Sequence, residues 1–157
     1  MQFTEKEITV KGNRVRYFDE GLQDGPSLLF IHGFPFNKEM WKKQLTTFAE
    51  THRVIAYDVR GHGGSAPGSV EFSVAQFADD LLLFMDAMDL DKAAICGLSM
   101  GGYIAMNVIE KNRERLSALI LCDTQCNADS TEAREKRMKT IASIRLSGLK
   151  KYADELV

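Results

Sequence analysis

The sequence predicts an α/β fold built on a mostly parallel, doubly wound sheet. Two strand-like segments on either side of a short turn indicate a β-hairpin near the N-terminus. After it, apolar strand-like runs alternate with segments of helical periodicity. The run from Leu28 to Ile31 is apolar throughout, which is typical of a strand buried on both faces. With 157 residues and 45% hydrophobic composition, the chain is long enough for one domain with a sizeable core.

The predicted elements follow one another in a regular order. Residues 7–11 and 14–18 flank a turn predicted at Gly12-Asn13, which together indicate the hairpin. A helix predicted over residues 38–50 carries Trp41, Leu45 and Phe48 on one side. Residues 53–57 return as a strand, and further strands are predicted before Ser99 and over residues 116–122.

The helix predicted over residues 73–88 has the clearest signals. Ser73 and Gln76 have the spacing of a capping box, and Phe72 and Phe77 that of a hydrophobic staple. An apolar stripe at helical spacing predicts the buried side of this helix. Its members are Phe77, Leu81, Phe84 and Met88.

After Asp123 the composition becomes polar and charged. Asp129 and Glu132 have the spacing of a capping box before a helix rich in Glu, Lys and Arg. This charged run is interpreted as a solvated face, with a docking site as the alternative. The apolar side chains of the helix form a thin line of Met138, Ile141 and Ile144. Gly148 is predicted to end the helix, and Leu149, Tyr152, Ala153 and Leu156 begin another.

Composition excludes several classes of function. The net charge of −2 gives no basic surface for nucleic acid. No apolar stretch has the length of a membrane span, and the first residues lack the pattern of a signal peptide, so we expect a cytoplasmic protein. Cys96, Cys122 and Cys126 are expected to be reduced, and none has histidine neighbours at metal-binding spacing. We therefore expect no metal and no cofactor.

Ser99 lies in the run Gly97-Leu98-Ser99-Met100-Gly101, between an apolar strand and a helix with Ile104 and Val108 on one face. A sharp strand-to-helix turn of this kind lifts the serine hydroxyl clear of the sheet, and the flanking glycines allow backbones to approach closely. The first N–H groups of the helix would face an anion beside the serine. The alternative is a serine that caps an ordinary helix.

Two loops follow predicted strands at the same edge of the sheet. The first is His32-Gly33-Phe34-Pro35, where the Phe34 backbone N–H, together with that of Met100, is a candidate oxyanion donor; an ordinary turn is the alternative. The second is the run from Asp58 to Ser65, which contains three glycines. Its Asp58 and Arg60 are interpreted as shaping the loop, and His62 as a framework residue rather than a base.

These three motifs, in this order and spacing, resemble the serine hydrolases of the α/β-hydrolase family. The resemblance covers residues 1–126 as the first part of the core, and residues 127–157 look like the start of a helical cap. It implies that Ser99 is the nucleophile and that the Phe34 and Met100 N–H groups form the oxyanion hole. The sequence around Ser99 is similar to the esterase, enol-lactonase and haloperoxidase-like branch, and a serine here argues against the dehalogenase and epoxide hydrolase branches.

The chain departs from the family pattern in its histidines, because His32, His52 and His62 all precede Ser99. Asp123 is interpreted as a turn or capping residue rather than the catalytic acid. The strand over 116–122 is interior in the family's sheet and would here form an apolar edge, and the chain stops within an apparent helix. We therefore expect a piece of a longer hydrolase, lacking the last strands of the sheet and completed by a C-terminal polypeptide or a continuation of the chain.

Three functions are compatible with the sequence. The first is a hydrolase of small carboxylic esters or lactones, nearly inactive until the histidine and the acid are supplied. The second is a catalytically silent ligand-binding module, and the third is an interaction subunit that pairs through its open edge. Trp41 and Phe36 are either pocket walls or core residues. The resemblance implies that the cap largely sets the shape of the pocket, and because only its beginning is present the sequence does not identify the substrate.

Overall fold

The computed structural model describes residues 2–154, except for the side chains of Leu149 and Ala153. Leu156, assigned above to a final helix, lies outside the described residues. The elements are listed here in chain order: β1 (Lys6–Val10), β2 (Asn13–Gly21), β3 (Ser27–Ile31), a 3₁₀ turn (Lys38–Trp41), α1 (Lys42–Phe48), β4 (Arg53–Tyr57), α2 (Val74–Ala87), β5 (Ala93–Leu98), α3 (Met100–Lys111), a second 3₁₀ turn (Arg113–Arg115), β6 (Leu116–Cys122), α4 (Thr131–Ser147) and α5 (Leu149–Asp154).

The six strands form one sheet in the order β1-β2-β4-β3-β5-β6. β1 and β2 are antiparallel, β2 is antiparallel to β4, and the four strands β4, β3, β5 and β6 are parallel to one another. The carboxyl ends of the parallel strands therefore meet at one edge, which is where ligand sites form in open α/β sheets. The predicted mostly parallel sheet is confirmed.

Apolar side chains are buried on both faces of the sheet. On one face α2 and α3 pack over the sheet, with Leu81 and Ile104 fully buried. On the other face α1 packs through Leu45, beside the buried ring of Trp41. Trp41 is thus a core residue and not a pocket wall, whereas Phe36 is exposed. Helices on both faces make the sheet doubly wound, as predicted.

The predicted hairpin is present, but its turn is one residue earlier than expected. Val10 pairs with Asn13, so the two loop residues are Lys11 and Gly12 rather than Gly12 and Asn13. Both have positive φ angles, 45° and 80°, as a type I′ turn requires. Glycine stands at the second loop position, and Asn13 becomes the first residue of β2.

The segment predicted as one helix over residues 38–50 is divided. A 3₁₀ turn ends at Trp41 and α1 begins at Lys42. Phe48 is 39% exposed, whereas Trp41 and Leu45, which are predicted on the same side of the helix, are buried. Phe48 is the last residue of α1, and its ring lies at the rim of the core against Phe30 and His52.

Helix α2 agrees closely with its sequence signals. The Ser73 hydroxyl accepts a hydrogen bond from the Gln76 N–H, although the Gln76 side chain donates to Asp80 and does not complete the capping box. The rings of Phe72 and Phe77 contact each other with centroids 5.6 Å apart, as the staple predicts. All four members of the predicted stripe are buried.

The chain divides into two compact units between Gln125 and Cys126. In the second unit Ser130, and not Asp129, caps α4, since its hydroxyl accepts the Ala133 N–H. Asp129 instead forms an ion pair with Arg137. No described residue of α4 is buried. Gly148 ends α4 with a φ angle of 83°, as predicted.

Strand β6 forms one edge of the sheet. Its Ile120 and Leu121 are 44% and 45% exposed, and they project to opposite faces because side chains alternate along a strand. An apolar edge of this kind is a template for pairing with another strand. Within residues 2–154, no helix is both long and apolar enough to cross a membrane.

The position of the hairpin turn is tested by two substitutions. Lys11→Asn is expected to raise the free energy of unfolding by a few tenths of a kcal/mol, because asparagine tolerates positive φ better than lysine. Gly12→Ala is expected to lower it by about 1 kcal/mol, since alanine is strained at a φ of 80°. Urea denaturation measures both effects. A loss of stability in Lys11→Asn would contradict the assigned turn.

Candidate active site

Ser99 occupies a tight turn between β5 and α3. Its φ of 49° and ψ of −111° lie in a region that residues with a side chain rarely adopt, at a cost on the order of 1–3 kcal/mol. Contacts to the end of β6 hold this conformation. The Ser99 N–H donates to the Cys122 carbonyl at 3.0 Å, and the Thr124 hydroxyl donates to the Ser99 carbonyl at 2.9 Å. The sharp turn predicted from the sequence is therefore present, and the structure shows that it is strained.

Three glycines allow the backbone to close around this turn. A Cβ on Gly97 would lie 2.4 Å from the Gly101 carbonyl oxygen, and one on Gly101 would lie 2.3 Å from the Ile31 carbonyl oxygen. A Cβ on Gly102 would lie 2.5 Å from the Thr124 hydroxyl. β3, β5 and α3 thus approach one another more closely than any side chain would permit.

The loop after β3 passes directly beside Ser99. A Cβ on Gly33 would lie 3.3 Å from the Ser99 Cβ. The next residue is Phe34, joined to Pro35 by a cis peptide bond. The backbone N–H groups of Phe34 and Met100 donate no hydrogen bond within the described part of the chain. Both predicted oxyanion donors therefore have their N–H groups available, one in the loop that packs against the serine and one in the residue after it.

A buried carboxylate joins this loop to the loop after β4. Asp58 is fully buried and accepts three hydrogen bonds: from the Lys38 N–H at 2.8 Å, the Lys38 Nζ at 2.9 Å and the Gly64 N–H at 2.8 Å. Lys38 is also buried and contacts Glu5. Burial by itself lowers the pKa of Lys38, but its hydrogen bonds to Asp58 and Glu5 outweigh burial and raise that pKa. Lys38 therefore stays charged, and its bonds to Asp58 fix the C-terminal end of the loop that carries Phe34.

His32 fixes the other end of the same loop. Its Nε2 accepts the Val59 N–H at 3.0 Å, so the ring proton is on Nδ1, which donates to the Gly33 carbonyl at 3.0 Å. Burial lowers the pKa of His32 to about 4, opposed by the hydrogen bond to Gly33. With both nitrogens engaged and the ring neutral, His32 has no lone pair to offer Ser99.

None of the three histidines forms a hydrogen bond with Ser99. His62 Nδ1 contacts the Arg60 carbonyl, and His52 Nδ1 contacts the Thr51 hydroxyl. The His62 ring packs between the rings of His32 and Phe34, with centroids 5.1 and 6.0 Å away. His62 is therefore a framework residue in this structure, which agrees with its interpretation from the sequence.

Other polar residues near the loops also have structural contacts. Arg60 forms a bidentate ion pair with Asp80 of α2, which holds the second loop in place. Asp123 is exposed with a φ of 41°, as a turn residue is expected to be. Lys38 and Thr124 were not singled out from the sequence, because their partners Asp58 and Ser99 are distant along the chain.

The three cysteines carry free thiols. Cys96 and Cys122 lie on neighbouring strands with their sulfur atoms 3.9 Å apart. The pKa of Cys96 is raised to about 12, chiefly by burial of its thiol and then by the neighbouring Cys122. Within residues 2–154, no three histidine, cysteine or acidic side chains are grouped so that they could hold a metal ion.

Comparison with known families identifies the class of this chain. Residues 26–145 match the model of the alpha/beta hydrolase fold. The chain therefore belongs to the α/β-hydrolase family.

Individual relatives within the family differ in activity. The chain is 28% identical over 134 residues to 3-oxoadipate enol-lactonase 2 of Acinetobacter baylyi, covering 85% of this chain and 50% of the relative. It is 33% identical over 118 residues to epoxide hydrolase 1 of Caenorhabditis elegans, covering 74% and 29%. A solved thermophilic esterase from Thermogutta terrifontis superposes with a TM-score of 0.83 and 35% identity, covering 99% of this chain and 57% of that one. The chain thus spans about half the length, or less, of these curated relatives.

The close approach of backbone segments at the Ser99 turn predicts that one added methyl group lowers the free energy of unfolding by an amount that depends on its position. Gly101→Ala is expected to lower the free energy of unfolding by about 3 kcal/mol or more, because the new Cβ meets backbone atoms that cannot move. Gly33→Ala, whose Cβ would lie at 3.3 Å, is the matched control and is expected to cost about 1 kcal/mol. Chemical denaturation compares the two variants, and equal losses would contradict the assigned packing.

The buried neutral His32 predicts a pH dependence of stability. Its folded pKa of about 4 lies below the unfolded value of 6.5, so the unfolded state binds more protons between these values. The free energy of unfolding should therefore fall by up to about 3 kcal/mol as the pH is lowered from 6.5 to 4. Urea denaturation across this range should show that component lost in His32→Gln and kept in His52→Gln. An unchanged slope in His32→Gln would contradict the assignment.

Proposed function

We propose that the protein is a serine hydrolase that cleaves a small carboxylic ester or lactone through an acyl-enzyme on Ser99. The geometry of the Ser99 turn carries this proposal. A strained serine at the start of a helix, beside a loop with a free backbone N–H, is the arrangement that acyl transfer needs. The side chain of a serine that only caps a helix would accept a hydrogen bond from a first-turn N–H, and the Ser99 hydroxyl accepts none.

In the proposed reaction the Ser99 oxygen attacks the carbonyl carbon of the substrate. The carbonyl oxygen becomes an anion, which the N–H groups of Phe34 and Met100 stabilise. A histidine takes the hydroxyl proton and then donates it to the leaving alcohol. Water, activated by the same histidine, hydrolyses the acyl-enzyme and regenerates Ser99.

A serine nucleophile favours esters over epoxides as substrates. Attack on a carbonyl gives an acyl ester, which water hydrolyses under general base catalysis. Attack on an epoxide would give an ether at Ser99, which water does not cleave under such conditions, and turnover would stop. The similarity to an enol-lactonase and an esterase also supports an ester or lactone, whereas the similarity to an epoxide hydrolase reflects the shared fold.

We propose that the catalytic histidine and acid come from outside these residues, from a complementary C-terminal polypeptide or a continuation of the same chain. The partners of His32, His52 and His62 support this, since none of these rings bonds to Ser99. The exposed apolar edge of β6 offers a place for further strands to pair. Without the histidine, we expect this chain alone to be nearly inactive. A cytoplasmic location stays a prediction.

A second candidate function is a ligand-binding or interaction module of the same fold without turnover. One observation favours it: the Ser99 hydroxyl has no hydrogen-bond partner among the described residues, so nothing there activates it as a nucleophile. The two candidates predict different results when the chain is completed by its partner or continuation.

Hydrolysis of p-nitrophenyl acetate by the completed protein tests the proposal. Ser99→Ala is expected to reduce kcat/KM at least about 1,000-fold, because the nucleophile is lost while the fold is kept. Ser143→Ala, an exposed serine of α4, is the control and should leave the rate unchanged. Turnover that survives in Ser99→Ala would refute the nucleophile assignment. Binding of the ester without turnover would favour the second candidate.

A further inference from the structure

The peptide group between Ser99 and Met100 carries one of the two candidate oxyanion donors, the Met100 N–H. This peptide bond is trans, so its carbonyl oxygen and its N–H group point in opposite directions. Both groups lie in one rigid plane. Contacts that fix the Ser99 carbonyl therefore also fix the direction in which the Met100 N–H donates.

Among the described residues, three groups donate a hydrogen bond to the Ser99 carbonyl. The Gly102 N–H donates at 2.9 Å and the Tyr103 N–H at 3.2 Å, as expected in the first turn of a helix. The third donor is the Thr124 hydroxyl, also at 2.9 Å. The first two donors belong to α3 and move with it, whereas Thr124 follows the end of β6. Thr124 thus ties this peptide group to the sheet.

The peptide group before Ser99 is tied to the same end of β6. The Ser99 N–H donates to the Cys122 carbonyl at 3.0 Å. The two bonds to the end of β6 therefore act on either side of Ser99 and restrain rotation about its φ of 49° and its ψ of −111°. These angles are unfavourable for a residue with a side chain, so the turn would relax if one restraint were lost. A change in ψ rotates the Met100 N–H directly.

A glycine in α3 leaves the space that Thr124 occupies. A Cβ on Gly102 would lie 2.5 Å from the Thr124 hydroxyl oxygen and 2.6 Å from its Cγ2. The Thr124 side chain is therefore packed against the first turn of α3 while its hydroxyl bonds to the Ser99 carbonyl. This packing restricts the rotamers of Thr124 and keeps its hydroxyl on the carbonyl.

A hydrogen bond to a carbonyl also strengthens the N–H of the same peptide group as a donor. Hydrogen bonds in a chain polarise one another, by roughly 10–30% per bond. The gain is largest when the acceptor becomes an anion, as the substrate carbonyl oxygen does during attack by Ser99. We expect the Thr124 hydroxyl to stabilise the transition state more than the bound substrate.

We propose that Thr124 is a positioning residue for acyl transfer, whose hydroxyl aims and polarises the Met100 N–H through the Ser99 carbonyl; this role rests on the proposed hydrolase function. Thr124 acts through the peptide group and takes no part in proton transfer. The other candidate donor is held in a comparable way, because the carbonyl of the Gly33–Phe34 peptide group accepts a hydrogen bond from the His32 ring.

Hydrolysis of p-nitrophenyl acetate by the completed protein tests this role. Thr124→Val removes the hydroxyl and is expected to lower kcat and kcat/KM together by about tenfold, with KM unchanged, as for an interaction made only in the transition state. Thr124→Ala should give the same pattern without introducing a methyl group beside the carbonyl. Thr124→Ser keeps a hydroxyl and should restore the rate to within about threefold of the wild type.

Thr46→Val is the matched control. The Thr46 hydroxyl also donates to a backbone carbonyl at 2.9 Å, but it lies on an exposed part of α1. This substitution removes the same kind of bond and should leave kcat and KM unchanged.

A spectroscopic measurement on the same completed protein detects the polarisation without turnover. With ¹⁵N-labelled methionine, the Met100 amide signal, assigned by its loss in Met100→Leu, should move upfield in Thr124→Val and Thr124→Ala. The reason is that the peptide group becomes less polarised when its carbonyl loses a donor. Thr124→Ser should return the signal towards its wild-type position, and Thr46→Val should not move it.

The results separate this role from the proposed function itself. If Ser99→Ala hydrolyses the ester as fast as the wild type, the proposed function fails. If hydrolysis depends on Ser99 but Thr124→Val and Thr124→Ala keep the full kcat, the role of Thr124 alone is overturned. A rise in KM at constant kcat, a failure of Thr124→Ser to restore the rate, or an unmoved Met100 signal would overturn it as well.

Discussion

The close contact of three backbone segments at Gly97 and Gly101 is the constraint on which the site depends. The end of β3, the end of β5 and the first turn of α3 meet at distances that leave no room for a Cβ. This packing forces the chain to reverse at Ser99 and holds that residue at a φ of 49°. The strain is local, whereas the sheet and helix contacts that enforce it extend through the core. Removing the strain would therefore require moving the core.

The loop that carries Phe34 is likewise held in place by contacts from outside the loop. A loop at the edge of a sheet has few contacts of its own, and its backbone N–H groups must stay free if they are to bind an anion. His32 and Lys38 hold the loop from either side of Phe34, through Val59 and Asp58 of the next loop. Polar residues that resemble catalytic ones in sequence thus serve to orient backbone donors.

Much of this fold was predictable because its signals are local. The stripe and cap of α2, the apolar run of β3 and the glycines around Ser99 each lie within a few residues of one another. The turn was predicted one residue too late, because Lys11-Gly12 fits a two-residue loop as well as Gly12-Asn13 does. The division of the helix after Trp41 had no sequence signal.

Long-range contacts account for what the sequence did not predict. Lys38 pairs with Asp58 only because β3 and β4 lie side by side, which periodicity along the chain does not reveal. Thr124 reaches the Ser99 carbonyl because β6 pairs with β5.

We propose that the turn presents Ser99 as a nucleophile whose base lies outside these residues. The most direct measurement is the rate of phosphonylation by a fluorophosphonate, with the modified residue identified by tandem mass spectrometry. We expect modification at Ser99 that is slow in this chain alone and at least about 100-fold faster once the chain is completed. Modification of another residue, or an equal rate for the chain alone, would contradict the account.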